Sequence, residues 1–293
     1  MDADQVRRVR SFNRTVTQRI GALEDNFLGR GRPLGEARLL YEIGRDGAEL
    51  RSVRARLELD SGYVSRLLRS LERQGLAKTR AAASDGRVRR ATLTRKGMRE
   101  VAELGHRSDA FAKSVLAPLS ARQRDRLIAA MAEVERLLRA SAVQIAVEAP
   151  DSADARWCLE EYFRELAGRF EAGFDPAATI SASAGELTPP VGVFVIARLG
   201  EQPIGCGALK VKDGNIGEVK RMWARADARG LGLGRRLLET LEALAREFGL
   251  RILRLETNRS LAEAQALYRK CGYLEVAPFN DEPYAHHWFE KRM

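Results

Sequence analysis

The chain has 293 residues, of which 45% are hydrophobic, so it is long enough to form two ordinary globular domains with separate cores. It has no run of eighteen apolar residues and its N-terminus is charged, which argues against a membrane span and a signal peptide, so we expect a cytoplasmic protein. Its formal net charge is +10, and its three separated cysteines and three histidines form no ligand pattern, so we expect no metal.

Positive charge is concentrated in the first half of the chain. Residues 1–150 contain 30 Lys and Arg against 19 Asp and Glu, whereas residues 151–293 contain 20 against 21. Within residues 51–100 alone the counts are 14 and 5. Positive charge clustered in this way indicates a surface that binds a polyanion.

Hydrophobic periodicity and turn residues predict a mainly helical first half with one β-hairpin. The predicted helices cover residues 5–25, 34–43, 50–57, 61–74, 95–116 and 120–143. The predicted strands cover residues 76–80 and 90–94, on either side of a turn at Asp85-Gly86. Two short helices followed directly by a hairpin are typical of a winged helix-turn-helix.

The helix predicted at residues 61–74 has two different faces. Its apolar stripe consists of Val64, Leu67, Leu68 and Leu71. Short polar groups and long cations occupy the remaining surface, at Ser61, Tyr63, Ser65, Arg66 and Arg69. We expect this second set to contact double-stranded DNA in the major groove, and Arg87 and Arg89 of the hairpin to reach the minor groove.

Four short motifs follow one another in this region: Val64-Ser65-Arg66-Leu67, Gly75-Leu76, SDGR at residues 84–87, and Leu93-Thr94 with Gly97. Together they closely resemble the MarR family of winged-helix regulators. The resemblance covers about residues 1–145 and implies a homodimer, formed by the first and the last two helices, on a near-palindromic DNA site. A winged helix that serves only for dimerisation is the alternative.

The second half alternates strands with helices. Predicted strands cover residues 142–149, 191–197, 203–211, 216–224, 251–256, 272–276 and 286–291. Predicted helices cover residues 157–170, 233–248 and 261–271. This order predicts an α/β domain with a mixed sheet.

The most informative motif of this half is RGLGLGRRLL, from Arg229 to Leu238. Glycines ahead of a helix allow successive main-chain N–H groups to surround a phosphate group. The spacing excludes a dinucleotide fingerprint, because the sixth position, with Gly230 counted as the first, is Arg235. No Gly-Lys-Ser/Thr follows, which excludes a nucleotide-hydrolase loop. A glycine-rich helix entry without a ligand is the alternative.

The remaining pattern, Arg-x-x-Gly-x-Gly, resembles the acetyl-coenzyme A loop of the GNAT acyltransferase superfamily. The segment LETNRSLAEAQALYRKCGY, at residues 255–273, is similar to a second signature of that superfamily. The resemblance covers about residues 143–293 and implies a GNAT fold that transfers an acetyl group from acetyl-CoA to an amine. The site residues that it implies for the coenzyme are Met222, Trp223, Ala224, Arg229, Gly230, Leu231, Gly232, Leu233, Gly234, Arg235 and Asn258.

Two residues are candidates for proton transfer. Tyr268 occupies the position of the family's usual general acid, and its alternative role is that of a core aromatic residue. Glu218 is our candidate general base, acting through water, and its alternative role is that of a solvent-facing strand residue or a partner of Lys220 or Arg221. Asn258 likewise has an alternative role, as a capping or turn residue.

The sequence gives less information about the acceptor site. Residues 170–174 and 277–287 are expected to form its walls, and Asn280, Asp281, Tyr284 and His287 are compatible with a small amine or amino acid. The complete chain thus predicts two domains, a MarR-like DNA-binding domain at residues 1–145 and a GNAT domain at residues 146–293. The alternative function is a transcription factor whose GNAT-like half only senses acetyl-CoA or an amine.

Overall fold

The computed structural model describes residues 2–81, 89–171, 173–180, 182–212 and 215–293. The chain divides into two compact units, Met1–Ala130 and Met131–Met293, which are called unit 1 and unit 2 below. The domain limits expected from the sequence, 1–145 and 146–293, stay a prediction. Within the described ranges, no helix is both long enough and apolar enough to cross a membrane.

Unit 1 consists of helices around a small antiparallel sheet. Its elements are α1 (Ala3–Arg19), α2 (Leu34–Ile43), β1 (Ala48–Glu49), α3 (Leu50–Leu57), α4 (Ser61–Arg73), β2 (Ala77–Ala81), β3 (Arg89–Leu93), α5 (Arg95–Leu116) and the first part of α6 (Ala121–Ala142). The strand order is β1-β3-β2. The N-terminal region is therefore helical, as the sequence predicts.

Helix α4 begins where its sequence provides a cap. The side chain of Asp60 accepts a hydrogen bond from the N–H of Tyr63 at 2.8 Å, which satisfies one of the free donors of the first turn. The predicted apolar stripe of α4 is buried, with Val64, Leu67, Leu68 and Leu71 each at most 7% exposed. It packs against the apolar residues of α2 in one continuous core.

Helix α1 is shorter than predicted. It ends at Arg19 instead of continuing to residue 25, because Gly21 has a φ of +65°, outside helical geometry. Six apolar residues in α1 or just after it are 37–88% exposed. Four of them, Val6, Val9, Phe12 and Val16, belong to α1, and Ile20 and Leu23 follow it. The hairpin turn predicted at Asp85-Gly86, and Arg87 with it, lie outside the described residues.

Unit 2 is built on a seven-stranded sheet. After the end of α6 its elements are β4 (Val143–Glu148), α7 (Ala153–Arg169), β5 (Gly192–Leu199), β6 (Gln202–Val211), β7 (Ile216–Ala224), α8 (Leu233–Glu247), β8 (Ile252–Thr257), α9 (Ala262–Lys270), β9 (Leu274–Val276) and β10 (His287–Arg292). The strand order is β4-β5-β6-β7-β8-β10-β9. Among the strands that the structure describes, only β7 and β8 pair in parallel, so the predicted mixed sheet is confirmed.

Helices cover both faces of this sheet. On one face, Leu237, Leu238 and Leu241 of α8 join a core with alternate residues of β5, β7 and β8. On the other face, Ala155 and Cys158 of α7 pack against β5 and β6. The alternation along the strands divides the apolar residues between the two layers, as expected for an α/β domain.

The parallel pair opens part-way along its length. Residues Ile216–Glu218 pair with Ile252–Arg254, but both strands continue beyond this point without pairing to each other. Strand β7 also carries a bulge, because Ala208 pairs with Lys220 and Cys206 with Trp223, so that two residues oppose Gly207. A Cβ on Gly207 would lie 2.9 Å from the sulfur of Met222, so the bulge brings this side chain close to the main chain of β6. The opening and the bulge together create the site described next.

Candidate active site

A cavity of about 650 Å³ lies beside the glycine motif of unit 2 and is called the glycine-loop cleft. It is lined by the loop residues, by the end of β7 and by residues of α7 and α9. The predicted residues found in this lining are Met222, Trp223, Ala224, Arg229, Gly230, Gly232, Leu233, Gly234 and Arg235. Leu231 is also part of the predicted motif, but its side chain is 7% exposed and belongs to the core.

The main chain of the loop suits an anionic group. Gly230 and Gly232 have φ angles of +80° and +72°, and a Cβ on either would meet no atom within 4 Å, so the concavity is open. Gly232 caps α8 without any side-chain hydrogen bond to the first turn. The first N–H groups of α8 have no carbonyl partner within the helix, and they lie at the positive end of its dipole.

Two charged side chains hold the loop, and neither was predicted from the sequence. Glu165 of α7 accepts from the guanidinium of Arg229 at 2.6 Å and from the indole N–H of Trp223 at 3.0 Å. Arg136, in the part of α6 that belongs to unit 2, donates to the carbonyl oxygen of Gly230 at 2.5 Å. The sequence gives little signal for these contacts, because Glu165 and Arg136 are far along the chain from the loop residues that they bind.

A second cavity of about 120 Å³ lies where β7 and β8 separate, and it is called the aromatic cavity. The rings of Phe170, Phe174 and Tyr284 pack against one another there, with centroids 5.0–5.7 Å apart. Charged residues also line it: Lys220, Arg221, Glu256 and Glu282. The predicted wall segments 170–174 and 277–287 both contribute, but Arg221 and Glu256 were not predicted.

Tyr268 lies between the two cavities. It lines both of them, together with Tyr162, Leu166, Met222, Leu261 and Ala264. Its side chain is 6% exposed, and burial raises the pKa of its hydroxyl above the ordinary tyrosine value. The hydroxyl therefore stays protonated at neutral pH, as a proton donor requires.

Glu218 lies behind the aromatic cavity in a row of ion pairs. Its carboxylate lies 3.5 Å from the ammonium of Lys220, which also bonds Glu256 on the neighbouring strand. Glu218 is 6% exposed and lines neither cavity, so of its two alternative roles from the sequence the ion pair with Lys220 is observed and solvent exposure is not. One carboxylate oxygen of Glu256 is buried and has no hydrogen-bond partner in the part of the chain that the structure describes.

Asn258 organises the turn after β8. Its side-chain N–H donates to the carbonyl of Tyr284 at 2.8 Å, and its side-chain oxygen accepts from the N–H of Ser260 at 2.9 Å. It lines the aromatic cavity. The turn role considered for Asn258 is therefore observed, and its contact with the coenzyme stays a prediction.

The other candidates for acceptor recognition have different positions. Tyr284 lines the aromatic cavity, and its hydroxyl accepts from the N–H of Asp175 at 3.0 Å. Asn280 accepts from the indole N–H of Trp288 at 2.8 Å, and His287 pairs with Glu275 at 2.6 Å. Asn280, Asp281 and His287 do not line this cavity, so within the predicted set only Tyr284 does.

Comparisons with known proteins concern the second half of the chain. A family model described as "Acetyltransferase (GNAT) family" matches residues 154–273. An "IAA acetyltransferase" from Azospirillum brasilense is 38% identical over 138 residues, which cover 47% of this chain and 88% of that protein. The chain belongs to the GNAT acetyltransferase family.

Two further proteins are similar to the second half of the chain. N-acetyltransferase YsnE of Bacillus subtilis is 34% identical over 98 residues, which cover 33% of this chain and 65% of that protein. A solved GNAT acetyltransferase from Staphylococcus aureus is 18% identical, with a TM-score of 0.45, and the match covers 52% of this chain and 99% of that structure. GNAT acetyltransferases use acetyl-CoA, and the open, glycine-capped N-terminus of α8 fits the pyrophosphate of this coenzyme.

Proposed function

We propose that unit 2 transfers an acetyl group from acetyl-CoA to the nitrogen of a small amine. The observation that carries this proposal is the position of Tyr268 and Met222, which line both the glycine-loop cleft and the aromatic cavity. A coenzyme in the cleft and an amine in the cavity would therefore meet at these two residues. The cavity of about 120 Å³ suits a small acceptor.

In this proposal the main chain holds the coenzyme. The N–H groups of residues 229–235 bind the pyrophosphate. The main chain of Met222, Trp223 and Ala224 binds the pantetheine arm, and Asn258 contacts the same arm. Acetyl-CoA supplies the acetyl group as an activated thioester. Because the bulge leaves Met222 without a register partner on β6, its N–H can donate to the thioester carbonyl and stabilise negative charge there.

Proton transfer is assigned to two side chains. The buried hydroxyl of Tyr268 donates a proton to the departing thiolate. Glu218 is the proposed general base, and it takes the proton of the amine through water, because it lines neither cavity. Both assignments rest on position and charge.

The direct test is a screen for acetyl transfer. The purified chain is incubated with acetyl-CoA and a panel of primary amines and amino acids, and thiol release and acetylated product are both measured. We expect product with at least one acceptor. Binding of acetyl-CoA without transfer to any acceptor would contradict the proposal and would favour the alternative role as a sensor.

We propose as a second function that unit 1 binds double-stranded DNA as a MarR-like winged helix. The support comes from α4, where Ser61, Tyr63, Ser65, Arg66 and Arg69 are exposed on the side away from its buried stripe. Arg89, at the start of β3, is exposed as well. Arg87 is included from the sequence alone.

A homodimer on a near-palindromic site is part of this second proposal. The exposed apolar residues of α1 favour it, since a soluble monomer rarely leaves such a stripe uncovered. Gel retardation with the DNA upstream of the protein's own coding sequence tests the function. We expect Arg66→Ala to weaken binding at least tenfold and Arg126→Ala, on the exposed surface of α6, to weaken it less than threefold. Equal effects of the two substitutions would contradict the assignment of α4.

A further inference from the structure

The aromatic cavity contains a carboxylate with one free oxygen. Glu256 comes at the end of β8, beyond the point where β7 stops pairing, and its side chain is 9% exposed. One of its oxygens bonds Lys220, whereas the other is buried and has no hydrogen-bond partner among the described residues. A buried carboxylate oxygen without a partner costs free energy, and a ligand with N–H donors would remove that cost.

The same cavity is lined by an arginine with an unusual main-chain conformation. Arg221 is the bulged residue of β7 and has a φ of +57°, which is rare outside glycine. Its guanidinium lies 4.7 Å from the ring centroid of Phe163, and the side chain lines the cavity. Burial lowers the pKa of this arginine. Strained residues of this kind concentrate at functional sites, and arginine in particular binds carboxylates through two parallel hydrogen bonds.

The remaining carboxylate of the cavity already has partners. The oxygens of Glu282 accept from the main-chain N–H of Ile180 at 2.8 Å and of Tyr284 at 3.4 Å. Glu282 also lies close enough to Arg221 to favour its charged form. Its hydrogen bonds connect Ile180 to the wall segment 277–287, so we assign it a role in shaping the cavity.

We propose that the acceptor is a small zwitterion, with its ammonium bound to Glu256, its carboxylate bound to Arg221 and its side chain among Phe170, Phe174 and Tyr284. This inference rests on the proposed acetyltransferase function. It requires the ammonium to lie near Tyr268, and Glu256 is close enough to contribute to the raised pKa of that tyrosine. The cavity contains two carboxylates and two cations, so it has no excess of charge that would favour a diamine or a simple anion.

Matched acceptors test the proposal. Leucine, leucine amide and 3-methylbutylamine share one side chain and one amine, but only leucine carries a carboxylate, and phenylalanine with 2-phenylethylamine forms a second pair. A charged hydrogen bond contributes roughly 1.5–3 kcal/mol, so we expect kcat/KM to be about 10–100-fold higher for leucine than for the other two. Equal values for the three acceptors would overturn the inference and leave the acetyltransferase function intact.

Two variants locate the recognition. In Arg221→Gln, the ratio of kcat/KM between leucine and 3-methylbutylamine should fall to below 3, with partial recovery in Arg221→Lys. In Glu256→Gln, KM should rise at least tenfold for both acceptors, because both carry the ammonium. Arg254→Gln is the control, since Arg254 lies on β8 outside the cavity and pairs with Glu290.

Folding is checked by acetyl-CoA affinity, because the glycine-loop cleft does not include Arg221 or Glu256. If Arg221→Gln binds acetyl-CoA normally but keeps the wild-type ratio, the assignment of Arg221 is wrong. If Arg221→Gln fails to bind acetyl-CoA, the three-acceptor comparison on the wild-type chain still decides the question. If no amine of the panel is acetylated, the proposed function fails, and this inference fails with it.

Discussion

The glycine-loop cleft and the aromatic cavity share a wall, yet they are built from different groups. In the cleft, the continuous segment around Gly230 and Gly232 presents main-chain groups, next to residues of α7, α9 and the end of β7. The cavity is lined by side chains of α7, α9, β7 and β8, by Phe170 and by residues 174–180 and 282–285. The part of the site expected to hold a constant coenzyme can thus be marked by a short motif, whereas a site for a specific acceptor needs several remote segments.

This difference has an energetic consequence. Main-chain N–H groups at a helix N-terminus are present whatever the side chains are, so the cleft depends mainly on φ angles that glycine permits. The cavity depends on individual rings and charges, each of which can be replaced without moving the loop. Substitutions should therefore separate the affinities for coenzyme and acceptor, except at the shared wall.

Tyr268→Phe tests the shared wall and should have the largest effect. General acid catalysis contributes about 10²–10⁴-fold, so we expect kcat to fall at least 100-fold while the Kd for acetyl-CoA changes less than twofold. The measurement is thiol release together with calorimetric binding. Tyr273→Phe is the matched control, because Tyr273 is equally buried, lies next to Tyr268 and lines neither cavity. A loss of less than threefold in Tyr268→Phe would exclude the role as an acid.

Gly232→Ala tests the main-chain site. A residue with a side chain at φ +72° costs about 1–2 kcal/mol, and the new methyl group would enter the open concavity, so we expect the Kd for acetyl-CoA to rise at least tenfold. Gly249→Ala is the control at the other end of α8, where φ is +74° and the surroundings are equally open. Both variants should lose similar stability, but only Gly232→Ala should lose affinity. Equal affinities would show that the loop is not a phosphate site.

The same contrast explains which parts were predictable from the sequence. The glycine motif and helix α8 are contiguous, so spacing alone located the motif of the cleft, and periodicity located the described helices and nearly all of the described strands. The two-residue strand β1 was missed because it is too short to have a period. The bulge at Arg221 depends on its pairing opposite Gly207, and the free oxygen of Glu256 depends on where β7 and β8 separate. Neither relation is local, so the chemistry of the aromatic cavity was not predicted.

Buried tyrosines at the shared wall predict sensitivity to alkaline pH. Burial raises the pKa of Tyr162 and of Tyr268, so above pH 10 the unfolded chain loses protons that the folded chain retains. The free energy of unfolding should then fall by at most about 1.4 kcal/mol per pH unit for each tyrosine. In Tyr162→Phe this slope should be smaller by the contribution of one tyrosine.

Urea unfolding between pH 9 and 11 measures this slope. The three tryptophans, Trp157, Trp223 and Trp288, all lie in unit 2, so their fluorescence reports the unfolding of that unit alone. An unchanged slope in Tyr162→Phe would show that its hydroxyl is not protected from solvent.

Tyr284→Phe tests the cavity by itself and should have the smallest effect. The substitution keeps the ring beside Phe174 but removes the hydroxyl that accepts from the N–H of Asp175. Residues 173–180, which lie beside the cavity, are then held less firmly. Losing one such hydrogen bond costs roughly 0.5–1.5 kcal/mol, so we expect the KM for the acceptor to rise about threefold. The Kd for acetyl-CoA should stay within experimental error, because Tyr284 does not line the glycine-loop cleft. A parallel rise in the KM for the acceptor and the Kd for acetyl-CoA would mean that residues 173–180 position the glycine loop as well. The two sites would then be energetically coupled.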